Sequence, residues 1–80
     1  MDVKVEIPES LKKDYPEVSI LPKEGKIRIE CYVRPMFSLE RVEEVAQKII
    51  EANPDLKCTS LDKRTDHRGM AVKDLIFNEK

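Results

Sequence analysis

The stretch "MAVKDLIFN", residues 70–78, decides the fold, because it fits two periods at once. Ala71, Val72, Leu75 and Ile76 recur at the 3.6-residue step of a helix. Read as a strand, Val72 and Ile76 share a side with Asp74, while Leu75 and Phe77 share one with Lys73. What precedes it favours the strand. "LKCTSLDKR" (56–64) is a second short run, and "TDHRG" (65–69) places a glycine where a tight turn needs positive φ. The prediction is an antiparallel hairpin, with a bulge near Lys73 to reconcile the alternation.

Just upstream, "SLERVEEVAQKIIEAN" (38–53) carries Leu39, Val42, Val45, Ala46, Ile49 and Ile50 at three- and four-residue steps. That spacing predicts a helix with one apolar stripe. Ser38 suits its N-cap, Phe37 before it a staple onto Val42, and Glu44 with Lys48 a favourable pair one turn apart. Asn53 followed by Pro54 stops it. Before the helix, "KIRIECYVR" (26–34) alternates, with Ile27, Ile29, Cys31 and Val33 on one side and Arg28, Glu30, Tyr32 and Arg34 on the other. It pairs with "EVSIL" (17–21) across "PKEG", where Gly25 serves the loop. "DVKVEI" (2–7) alternates too and predicts a further half-buried strand. "PESLKKDY" (8–15) allows one or two helical turns with Leu11 and Tyr15 inward, ended by Pro16.

Assembled, these elements predict one α+β domain over residues 1–80. It is a small two-layer structure, an antiparallel sheet of four to five strands with the 38–53 helix packed on one face. The order is strand, short turn or helix, strand, strand, helix, strand, strand. With a true helix after the first strand, the chain approaches a βαββαβ arrangement with an added strand; otherwise it is an open ββαββ layer with an N-terminal edge strand. One helix covers one face only, so the other is wet or meets a partner.

Composition narrows the function. Eighty residues fold near the lower limit of unaided stability. Fifteen basic and sixteen acidic side chains leave a net charge of −1, unlike a protein that coats DNA or an anionic membrane. Two cysteines make no disulfide framework and read as reduced thiols of a cytoplasmic protein. Neither a signal-peptide pattern nor an apolar run of roughly 18–20 residues occurs, so no membrane is expected.

The densest chemistry lies in "SLDKRTDHRGM" (60–70), which holds the chain's only histidine. Paired metal ligands such as C-x-x-C or H-x-x-x-H are missing, and two isolated glycines make no phosphate loop. Neither a metal nor a cofactor is expected. Cys31 reads as a core residue; Cys58 with His67 across the hairpin is the one route to a small enzyme, and catalytic activity is not expected. Glu40, Glu43, Glu44 and Glu51 read as a solvated helix face.

The leading expectation is a non-enzymatic binding or regulatory module. It would act through protein–protein contacts or self-association as a homodimer. The alternative is RNA or single-stranded DNA binding through the open sheet face and the basic hairpin. Segments 23–34 and 57–68 each carry four cations against two acids, and a tyrosine among arginines suits base stacking. The candidate contacts for either partner are Arg28, Tyr32, Arg34, Lys63, Arg64, His67 and Arg68.

Overall fold

Residues 3–23, 25–32 and 38–80 are described by a computed structural model. Its elements are α1 (Ser10–Asp14), β1 (Val18–Lys23), β2 (Lys26–Tyr32), α2 (Ser38–Glu51), β3 (Leu56–Ser60), β4 (Arg64–Thr65) and β5 (Met70–Glu79). All pairings are antiparallel, in the order β1-β2-β5-β3, with β4 also on β5. Residues 70–79 are therefore strand, and the long one at the sheet's centre.

The core lies between the sheet and the two helices. β2 supplies Ile27, Ile29 and Cys31, β5 supplies Ala71, Leu75 and Phe77, and α2 supplies Val42, Val45, Ala46 and Ile49. Leu11 of α1 and Tyr15 just after that helix close it. Fully burying a large apolar side chain stabilises by roughly 1.5–3 kcal/mol, which is what lets so short a chain hold two layers. Glu44 turns towards Arg41 at 3.6 Å and the Tyr15 hydroxyl, rather than serving the helix pair predicted with Lys48. The capping predicted for Ser38 and Phe37 lies outside the described side chains.

Two features differ from the sequence reading. Residues 3–8 form neither helix nor strand, yet Val3, Val5 and Ile7 pack on the core while Lys4 and Glu6 are exposed. The alternation is real, but its partner is a side chain. Asn53 Nδ2 donates to Glu6 O at 2.8 Å, and Asn53 Oδ1 accepts the Glu6 N–H at 2.7 Å, as a neighbouring strand would. The same Nδ2 donates to Ile49 O at 2.7 Å, so one residue both ends α2 and pins the N-terminal segment.

The bulge also sits elsewhere. β5 pairs with β2 without interruption from Met70 to Ile76. Ser60 faces Leu75 while Arg64 faces Val72, so the extra residue falls on the facing strand, between β3 and β4. Lys73 Nζ donates to the carbonyl of Leu61 there at 2.9 Å.

Gly25 is required twice over. Its φ is +64°, and an added Cβ would stand 3.3 Å from the carbonyl oxygen of Phe77. That close approach accompanies the 2.7 Å bond from Phe77 N–H to Gly25 O.

Candidate functional site

The site begins with the turn between β4 and β5. Gly69 N–H donates to Asp66 O and Asp66 N–H to Met70 O, with Gly69 at φ +81°. This is a hydrogen-bonded turn closed by a left-handed glycine, as in the common three-residue hairpin loops. Asp66 holds it from inside, its Oδ1 accepting the backbone N–H groups of Arg68 and Met70. Burial acts to raise the Asp66 carboxyl, but the Arg68 side chain and these N–H groups outweigh it and hold it at about 2. His67 and Arg68 thus ride at the tip of a structurally determined turn.

The register then gathers side chains on the face opposite α2. β1 contributes Leu21 and Lys23, β2 contributes Lys26, Arg28, Glu30 and Tyr32, and β5 contributes Val72 and Asp74, with Arg64 opposite Val72 on β4. Val72 is wholly buried yet lies outside the core cluster, and both helices belong to that cluster on the other side. Long side chains are what cover this face.

Their arrangement is consistent. Arg28 forks onto Asp74, Nε to Oδ1 at 2.9 Å and Nη2 to Oδ2 at 3.3 Å. Arg64 Nη1 reaches the same Oδ2 at 3.3 Å. Arg68 bridges Asp66 and Glu30. The Asp74 and Glu30 side chains are 4% and 9% exposed, against 31%, 46% and 49% for Arg28, Arg64 and Arg68. Carboxylates lie beneath and guanidiniums outside. The hydrogen bond from Arg28 outweighs burial and lowers the Asp74 pKa.

Together these residues wall an open concavity of about 680 Å³, lined by Leu21, Lys23, Arg28, Arg64, His67 and Arg68, with Glu30 and Asp66. Tyr32 stands on the same face beyond it, 75% exposed. α2 presents exposed Glu40, Glu44 and Glu51 together with Arg41 and Lys48 on the other side of the molecule, while the concavity sets Lys23, Arg28, Arg64 and Arg68 against Glu30 and Asp66.

The predicted contact residues divide. Arg28, Arg64, His67 and Arg68 meet at the concavity and Tyr32 shares their face. Lys63 does not join them, because Glu43 of α2 draws it to the helix side at 3.5 Å. Arg34 lies outside the described residues. Cys58 and His67 are not brought together. Cys58 pairs with Phe77 on the helix face, where burial raises its thiol pKa, and the sheet stands between it and the concavity. No group of three or more metal-ligating side chains occurs among the described residues, and none of their helices is long and apolar enough to cross a membrane.

Sequence reasoning missed the anchors Glu30, Asp66 and Asp74, and with them Leu21 and Lys23. A signal for Asp74 existed, since an acid between Val72 and Ile76 on a central strand needs a buried partner. Against known proteins, the chain matches no family model, no curated sequence and no solved structure.

Proposed function

We propose that this chain is a non-enzymatic binding module that acts through the sheet face opposite α2 and takes a partner presenting negative charge. The observation that carries the reading is the layer of half-exposed guanidiniums seated on buried carboxylates. Such side chains lose little further freedom on contact, which favours binding over solvation alone. The cytoplasm is the proposed location, supported by two free cysteines.

Retention on a sulfonate cation-exchange matrix at pH 7.5 and low salt tests this. With a pI near 5.8 the chain should pass through unless its cations are segregated. The reading predicts retention, lost in the double variant Lys23→Glu, Lys57→Glu, since Lys57 on β3 stands opposite Asn78 on the same face of the sheet; flow-through of the unaltered protein contradicts it. Arg28→Glu is a poor probe, because it would set a second carboxylate against buried Asp74.

A second reading, self-association or docking of another protein, has its own observation. Among the described residues β1 is an edge strand, and Leu39 and Leu61 are 37% and 40% exposed. Pro22 within β1 lacks a donor and blunts that edge. Sedimentation equilibrium decides it: a mass rising with concentration towards twice 9.3 kDa supports a homodimer, and a constant 9.3 kDa counts against one.

A further inference from the structure

We infer that the concavity between β1, β2 and the 66–69 turn seats a phosphate of single-stranded nucleic acid, with Tyr32 stacking on a neighbouring base. This rests on the anionic-partner reading above and narrows it to one chemistry.

The donors come first. A guanidinium carries five N–H bonds in a planar fork. Arg28 spends Nε and Nη2 on Asp74, and Arg64 spends only Nη1. Nη1 of the first, and Nε and Nη2 of the second, have no protein partner among the described residues. The carboxylate that fixes both groups is itself buried and fully engaged, so an arriving phosphate meets donors in a set geometry. Lys23 and His67 add charge and a ring nitrogen to the lining.

The second element is what surrounds these donors. Leu21, 40% exposed, forms part of the concavity wall, and Tyr32 is the most exposed large apolar side chain on the described surface. An acidic peptide brings charge to such a face but no flat apolar group beside each charge. A nucleotide brings both, a phosphate for the arginines and a base for the ring.

Spacing agrees with that pairing. Arg28, Glu30 and Tyr32 follow one another on β2 at steps of about 7 Å, and Arg68 caps Glu30. A strand laid along β2 meets two guanidiniums and then an aromatic ring. The concavity is also open and larger than one phosphate, so it accommodates an internal position of a chain. A duplex keeps its bases stacked inside and leaves Tyr32 nothing to stack upon.

The test uses fluorescence anisotropy at low salt with three labelled probes of about twelve units each: oligouridylate, oligoglutamate and an RNA duplex. Oligouridylate should bind at least ~10-fold more tightly than the other two, with log K falling against log salt at a slope near −2 for about three phosphates. Tyr32→Ala should weaken it by roughly 10-fold while the protein still melts cooperatively, and Tyr32→Phe should retain it. If oligoglutamate binds as well as oligouridylate, or Tyr32→Ala changes nothing, the nucleic-acid assignment is overturned while the anionic-partner reading stands. If none of the three probes binds at low salt, both fall.

Discussion

The two faces of β5 are stabilised by different physics. Towards α2, Ala71, Leu75 and Phe77 are sealed in a close-packed apolar core. Away from it, Val72 and Asp74 are buried just as completely, but under arginines rather than under a helix. The first face needs shape and loses water for good. The second holds its cover through charge, stays wetted at its outer rim and keeps donors available. A small domain thereby buries both sides of its central strand with one substantial helix, and leaves the charged side open to a partner.

Substitutions on the two faces should separate these mechanisms. Phe77→Ala, which empties the core, should cost about 3–5 kcal/mol in urea unfolding and respond little to salt. Asp74→Ala strands Arg28 and Arg64 over a buried strand. With both arginines partly solvated, about 2 kcal/mol is expected, and a loss as large as that of Phe77→Ala would erase the distinction between the faces.

Acid should act on the charged groups and spare the apolar core. Asp66 is held at about 2 against an ordinary value of 3.8, and Asp74 and Glu43 are lowered by Arg28 and Lys73. A lowered folded-state pKa stabilises above the unfolded value and loses that contribution as pH falls through the folded one. The melting temperature should hold from neutrality to about pH 4 and then drop towards pH 2. Asp66→Asn should make the drop shallower; an identical profile would remove Asp66 from the account.

Among the described residues, Lys73 is the one buried charge on the apolar side, 6% exposed and bonded to Glu43 at 3.0 Å. Lys73→Met keeps its volume and leaves the half-exposed Glu43 to water but removes the donor to the Leu61 carbonyl, so stability should change by no more than about 1 kcal/mol. The smallest effect belongs to the rim. Lys23→Glu should shift stability by no more than about 0.5 kcal/mol, which makes it a clean probe of binding.

Elements with one apolar side were legible from the sequence. β2 and α2 each show a single stripe, and their buried apolar residues follow it, although Leu39 is 37% exposed and Glu30 is buried on the other side of β2. β5 was ambiguous because it is buried on both faces and carries a paired charge on each, Lys73 one way and Asp74 the other. That pattern mimics broken alternation. The segment 3–7 looked like a strand because burial alternates identically whether the hydrogen-bonding neighbour is a strand or the amide of Asn53.

In the candidate site, the turn and its glycine were legible, as was the shared face of Arg28 and Tyr32. The split between Lys63 and Arg64 was not. It depends on the extra residue between β3 and β4 and on Glu43, some twenty positions away, drawing Lys63 to the helix side. The anchoring of Arg28 by Asp74 spans 46 positions and is fixed only by the β2–β5 register.

The most direct test is to titrate isotopically labelled protein with oligouridylate and follow backbone amide shifts by NMR. The account predicts that the largest changes fall on Arg28–Tyr32 and Arg64–Met70, with α2 silent. Changes concentrated on α2 and around Leu39 and Leu61 would contradict it.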